Sequence, residues 1–208
     1  MWFLSFLPLL AAHSAAHHAF MNAYVPFYQA FDTKTKHTWT SRATALLVQA
    51  VVLPVAAIWG PPAAGLHVLG MYILSDSIHL MTYDHDPMTW AHHTLAFLSY
   101  LATFFVNAHV VRAMLIGTLI LEWTSPWIQV CWLANKAGLA SRPWFYHLSG
   151  FTLINYFLVR CIGFPYFVFV HMPKIMWVAG SLFSMMNWIW MFQLVGYAAA
   201  VNRKARIE

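Results

Sequence analysis

The chain has 208 residues, of which 61% are hydrophobic and 8% are charged, and its formal net charge is +5. A soluble domain of this length would carry about a quarter charged residues, so the polar surface is too small to cover a globule in water. We therefore predict an all-α, polytopic membrane protein. The sequence has no stripe of basic residues, so nothing in it indicates nucleic-acid binding.

Seven apolar stretches follow one another along the chain, and each is long enough to span a hydrocarbon core, which ~20 residues cross. Proline interrupts the two longest stretches at Pro26 and Pro165, where kinks or tilt are expected. The connections are short, so any chemistry is expected inside the helical bundle or at its cytosolic mouth. The predicted spans are 2–31, 43–60, 66–83, 88–107, 112–134, 143–170 and 175–200.

The basic residues predict the orientation of the bundle. Eight of the eleven Lys and Arg residues fall on the side of the first loop and the C-terminus, two fall on the other side, and Arg160 lies inside a helix. The positive-inside rule then places the N-terminus outside and the C-terminus on the cytosolic side, or on the matrix or stromal side in an organelle. We expect an internal membrane, of the endoplasmic reticulum or another organelle.

The first stretch contains three closely spaced histidines, His13, His17 and His18. Membrane di-iron enzymes carry boxes of this kind, because several imidazoles must converge on the metals. Those enzymes need further boxes on the cytosolic side. This chain has one complete box, which the predicted orientation places beyond mid-membrane. We therefore predict no metal ligands and no bound cofactor.

The third and fourth stretches contain Asp76, His79, Tyr83, His92 and His93. Ionisable groups inside a membrane span are expensive, so they are candidate functional residues. Asp76 is expected about 10 Å, and the two adjacent histidines about 7 Å, from the cytosolic ends of their helices. Because these helices are consecutive and antiparallel, we predict that the carboxylate reaches one imidazole and fixes its tautomer. The alternative is a packing contact beside interfacial, solvated histidines.

Two further charges lie deeper, Glu122 in the fifth stretch and Arg160 in the sixth. Neither is expected to face lipid, and a direct or water-bridged contact between them would lower the cost of burying both. The alternative is that the pair only fixes the bundle. Pro126 follows Glu122 closely and predicts a kink, which either lines a cavity or serves packing.

Five segments carry a combined pattern: WTSRATALLVQA, YILSDSIHLMTY, WAHHTLAF, LEWTSPWIQVCW and NYFLVRCIGFPY. Together they resemble the TLC domain family, which includes the ceramide synthases. Coverage runs from about residue 39 to 200, although Gln49 stands where a histidine is common in the family. The His-His pair is also found in ceramide synthases, but their two-aspartate motif is absent here, where Glu122 and Ser125 stand. The pattern is closer to the small TLCD-type members.

The resemblance implies about seven transmembrane helices around a lipid-accessible cavity that opens to the cytosol. The domain organisation would be a first helix and loop at 1–38, a six-helix TLC-like domain at 39–201 and a basic tail at 202–208. The implied function is lipid handling, with acyl transfer from acyl-CoA as the candidate reaction. The competing hypothesis is a non-catalytic lipid-binding protein, or a subunit of a larger membrane complex.

The resemblance also suggests a role for each candidate residue if the protein is a membrane acyltransferase. One of His92 and His93 would act as nucleophile or general base, since imidazole is both a competent nucleophile and a good leaving group. Asp76 would orient it. The substrate-binding residues would be His79, Tyr83, Glu122 and Arg160.

Overall fold

Every regular element in the described part of the chain is a helix, so the predicted all-α class is confirmed. The computed structural model describes residues 6–83 and 87–204, and within these it leaves out the side chains of 6, 7, 62, 79–81, 83 and 201–204. The main helices are α1 (Phe6–Tyr24), α2 (Thr33–Trp59), α3 (Pro62–Tyr83), α4 (Pro87–Ala102), α5 (Ala108–Glu122), α6 (Ser125–Lys136), α7 (Pro143–His171) and α8 (Trp177–Lys204). Shorter helical turns are Pro26–Gln29, Thr103–Phe105 and Lys174–Met176.

Three helical spans of the described residues are long and apolar enough to cross a membrane. They are α2 (Thr33–Trp59), α7 (Pro143–His171) and Lys174–Ala200, which joins the turn Lys174–Met176 to most of α8. Only 22–28% of their most apolar windows is buried within the protein. A soluble protein rarely exposes so much contiguous apolar surface, so the chain is a membrane protein. The larger count of seven spanning helices stays a prediction.

Helix α2 begins well before the predicted start at residue 43. Asp32 caps it, since the Asp32 side chain accepts a hydrogen bond of 2.6 Å from the backbone N–H of Thr35. An N-cap of this type satisfies one of the unpaired N–H groups of the first turn. The polar first half of α2, which hydropathy leaves out of the span, is therefore part of the same continuous helix.

The predicted spans at 2–31 and 112–134 are each interrupted in the structure. Helix α1 ends at Tyr24, and a separate one-turn helix starts at Pro26. Helix α5 ends at Glu122, and α6 starts at Ser125 with a proline in its first turn. Because proline lacks an N–H and clashes with the preceding turn, it is most easily accommodated at the start of a helix, where Pro26 and Pro126 both lie.

Two other prolines lie inside long helices that stay continuous. A π-helical segment, Val48–Val52, precedes Pro54 in α2, and a second, Phe157–Gly163, precedes Pro165 in α7. The π segment widens the turn where the proline ring would otherwise meet the carbonyl four residues earlier. At Pro165 the backbone hydrogen-bond ladder therefore changes locally, and the helix continues to His171.

The chain divides into two compact units, Met1–Leu115 and Ile116–Glu208. In unit 1, α2 packs against α1 and α3, and α3 packs against α4. In unit 2, α7 packs against α6 and α8. The domain boundaries expected at 38/39 and 201/202 stay predictions.

Helices α3 and α4 approach closely at Gly70. A Cβ atom at this position would lie 2.7–2.8 Å from three ring atoms of Tyr100, which is itself 5% exposed. Glycine is therefore required here by space rather than by backbone conformation. Ser77 lies two helical turns after Gly70, and His93 lies two turns before Tyr100. The Gly70–Tyr100 and Ser77–His93 contacts therefore share one antiparallel register along the interface of α3 and α4.

Candidate functional site

Four polar side chains from three helices of unit 1 form a connected cluster, which we call the Asp76 cluster: Ser41 on α2, Asp76 and Ser77 on α3, and His93 on α4. The Ser41 hydroxyl donates a hydrogen bond of 2.7 Å to Asp76 Oδ1. The other carboxylate oxygen, Oδ2, lies 3.3 Å from His93 Nε2. Ser77 Oγ lies 3.3 Å from the second ring nitrogen, Nδ1. Both carboxylate oxygens and both ring nitrogens therefore have a partner in the cluster.

The cluster is largely shielded from solvent. The side chain of His93 is 10% exposed and that of Asp76 is 17% exposed. At this burial, a carboxylate without a partner would be strongly destabilising, which explains why the Ser41 hydroxyl and the imidazole both converge on it. The same low polarity strengthens the electrostatic contact between the carboxylate and the imidazole.

Donor and acceptor roles limit the proton positions on His93. A carboxylate accepts, so Nε2 beside Asp76 carries the hydrogen. Ser77 Oγ donates to the backbone carbonyl of Ile73 at 2.7 Å, and its lone pairs face Nδ1. Nδ1 can then donate to Ser77 in an imidazolium, or accept from Ser77 once the hydroxyl hydrogen rotates away from Ile73. The cluster thus places the hydrogen on Nε2 and lets Nδ1 act as donor or acceptor towards Ser77.

His92 lies beside the cluster. Its ring centroid is 5.6 Å from that of His93, with the two planes at 69°. Neighbours in sequence on a helix point about 100° apart, so the two imidazoles cannot face Asp76 equally. The structure therefore pairs Asp76 with His93 and leaves His92 as a neighbouring ring.

The predicted contact between Asp76 and the His-His pair is present, and it is made by His93. The catalytic roles of these residues stay predictions. The side chains of His79 and Tyr83 lie outside the described residues. Sequence reasoning missed Ser41 and Ser77, although both lie in the segments that carry the TLC resemblance. Their small hydroxyls are common in membrane helices, where they usually bond to the backbone of the preceding turn.

A second polar group lies in unit 2 around Arg160, which is 5% exposed. Its Nε donates to the Thr124 hydroxyl at 2.6 Å, and its Nη2 donates to the Ser125 hydroxyl at 2.5 Å. The guanidinium carbon also lies 5.2 Å from the ring centroid of Tyr156. Arg160 therefore points to the interior, as predicted. Its predicted contact with Glu122, which is half-buried, stays a prediction.

The histidines of α1 are used in contacts with neighbouring segments of unit 1. His13 Nδ1 lies 3.2 Å from the Thr44 hydroxyl, and His18 Nδ1 lies 2.7 Å from the Tyr28 hydroxyl. Among the residues that the structure describes, no group of three or more metal-binding side chains is arranged to hold an ion. The H-x-x-x-H-H spacing here accompanies helix packing, with Tyr28 fully buried at the centre of the contact.

Comparison of the chain with protein-family models found no match, and comparisons with curated proteins and with solved structures found none either.

Proposed function

We propose that the chain is a TLC-like, multi-pass membrane protein of an internal membrane, and that it transfers an acyl group from acyl-CoA to a membrane lipid. The single observation that carries the reaction is the contact between Asp76 Oδ2 and His93 Nε2. A buried carboxylate that orients an imidazole is a common arrangement for general acid–base catalysis. The proposal includes seven membrane-spanning helices around a cavity, with the N-terminus outside and the C-terminus on the cytosolic side.

In this proposal His93 is the general base and Asp76 is its positioning residue. Asp76 holds the hydrogen on Nε2, which leaves Nδ1 available to accept a proton from an attacking hydroxyl. His92 would contact the acyl group beside His93, and Ser41 would keep the carboxylate in place. Acyl transfer requires a proton acceptor for the nucleophile and a proton donor for the leaving thiolate, and one imidazole can serve both steps.

Purified protein in lipid nanodiscs, incubated with radiolabelled acyl-CoA, would test this. We expect label in an extracted lipid, and we expect it to fall to background in the double variant His92→Ala/His93→Ala. Thr82→Ala is a suitable control, since Thr82 is exposed on α3 and its hydroxyl donates to the carbonyl of Ile78 in the preceding turn. If wild type and the double variant label lipids equally, acyl transfer at this site is wrong.

The competing function is non-catalytic, as a lipid-binding protein or a subunit of a larger membrane complex. It is favoured by the apolar surface of the three long helices, most of which is not buried within the chain. In this case Asp76 and His93 would only join α3 to α4. Native mass spectrometry separates the two: partner chains at fixed stoichiometry support the subunit, and a retained lipid without turnover supports binding.

A further inference from the structure

Ser77 lies where a nucleophile would be expected in the Asp76 cluster. Its Oγ is 3.3 Å from His93 Nδ1, while the opposite ring nitrogen of His93 faces Asp76 Oδ2. The order serine, imidazole, carboxylate is the order in which such groups activate a hydroxyl, and it recurs on unrelated folds. We propose that Ser77 is the nucleophile and forms an acyl-serine intermediate. This proposal rests on the acyl transfer proposed above.

The alternative nucleophile at this cluster is His93 itself. For that, one ring nitrogen of His93 would have to be directed at the acyl donor. Both nitrogens already face partners, Nε2 towards Asp76 and Nδ1 towards Ser77. The geometry therefore suits His93 to proton transfer and suits Ser77 to attack on the carbonyl carbon.

The Ser77 hydroxyl must change its hydrogen-bond partner for the reaction. It now donates to the Ile73 carbonyl at 2.7 Å, as serines in membrane helices commonly do. A rotation of the hydroxyl hydrogen alone directs it at His93 Nδ1, and the heavy atoms stay in place. The Ile73 carbonyl keeps its bond within the helix, so the change leaves no backbone group without a partner.

The chemical steps balance without any further reactant. Ser77 Oγ attacks the thioester carbon of acyl-CoA, and its proton moves to His93 Nδ1. The C–S bond then breaks, and the leaving sulfur takes that proton to give the free CoA thiol. In the second half, an acceptor hydroxyl or amine attacks the acyl-serine ester. His93 takes the acceptor's proton and returns it to Ser77 Oγ as the ester bond breaks.

Four variants of the chain would test this: Ser77→Ala, Ser77→Cys, His93→Ala and the control Ser184→Ala. Ser184 is a matched control, because it is also half-buried in a helix and donates to the carbonyl four residues earlier at 2.8 Å. Radiolabelled acyl-CoA is added without an acceptor lipid, and the labelled peptide is identified by mass spectrometry. A long-chain alkyl fluorophosphonate, which reacts with activated serines, is used as a second probe.

We expect wild type and Ser184→Ala to carry the acyl group and the phosphonate on Ser77. Ser77→Ala should carry neither, and its acyl-transfer rate should fall by more than about 10³-fold. In Ser77→Cys the acyl group should become a thioester, which neutral hydroxylamine removes while it leaves an oxygen ester intact. Folding of each variant is compared by thermal unfolding.

The proposal is overturned if Ser77→Ala transfers acyl groups at the wild-type rate, or if the label is found on a histidine; acyl transfer itself would then stand. If wild type transfers no acyl group, the proposed acyl-transfer function is wrong. The phosphonate labelling then tests separately whether Ser77 is an activated nucleophile. Phosphonate on Ser77 that disappears in His93→Ala still supports an activated serine. If wild type carries no phosphonate on Ser77, the proposal that Ser77 is an activated nucleophile is overturned.

Discussion

The contact between Gly70 and Tyr100 sets the distance between α3 and α4, so Gly70→Ala should change that distance. The added Cβ would lie 2.7 Å from the nearest ring atom of Tyr100, whereas ordinary contacts begin at 3.4 Å, so the two must separate by about 0.7 Å. Tyr100 cannot easily yield, because its ring packs against His67 and Phe104, and its hydroxyl is 3.2 Å from His67 Nδ1. Overpacking of this kind costs about 1–3 kcal/mol.

The expected loss of folding stability must be separated from the stability that alanine adds over glycine in any helix, which is about 1 kcal/mol. Gly150 in α7 supplies the control, since a Cβ there meets nothing within 4 Å. The difference in stability between Gly70→Ala and Gly150→Ala removes the helix-propensity term. We expect Gly70→Ala to be the less stable of the two by about 2 kcal/mol, or ~4–8 °C in unfolding midpoint.

The assay is thermal or denaturant unfolding of both variants in the same detergent, followed by circular dichroism. Because Gly70–Tyr100 and Ser77–His93 share one register, the same substitution should also lengthen the Ser77–His93 contact and lower acyl transfer. Equal midpoints for the two variants would refute the claim that α3 and α4 are held at closest approach by Gly70.

Three further predictions concern the polar contacts. Asp76→Asn should keep the fold but lower acyl transfer by about 10⁴-fold, because an amide N–H facing Nε2 would force the hydrogen onto Nδ1; turnover and imidazole ¹⁵N NMR check this. Arg160→Met and Ser125→Ala should show a coupling of about 1.5–3 kcal/mol in a double-mutant cycle of unfolding, as expected for a hydrogen bond from a charged donor, and additive effects would contradict it. Tyr28→Phe should destabilise by about 1–3 kcal/mol, because the lost hydroxyl bonds to His18, Thr40 and the Lys36 carbonyl, and an unchanged midpoint would contradict this.

The sequence predicted the helical class and the Asp76 contact for the same physical reason. Long apolar stretches must be helical in a membrane, and a carboxylate inside one must find a partner. The choice of His93 over His92 depends on helix rotation, which spacing alone leaves open by about 100°. Ser41 and Ser77 were missed because a hydroxyl in a membrane helix has no pattern that distinguishes a backbone bond from a bond to a titratable group.

Hydropathy also misplaced the starts and ends of elements where polar signals override it. The cap at Asp32 extends α2 into a polar segment, and Pro126 starts a new helix inside an apolar stretch. Two other prolines do not end their helices, because Pro54 and Pro165 follow π segments that accommodate them. Local sequence alone therefore does not show whether a proline starts a new helix or follows a π segment within a continuous one.

The π segment of α7 changes which residues of this helix share one face. Buried residues occur in α7 at every fourth position over sixteen residue steps, at Thr152, Tyr156, Arg160, Phe164 and Val168. In an ideal α-helix such a series would rotate by about 160° and leave its face. The extra residue of the π turn takes back about 100° of that rotation and keeps the series facing the interior of unit 2. Deleting one residue of 157–163 other than Arg160 would therefore convert this segment to a regular α-helix and leave Phe164 and Val168 on the same face of α7.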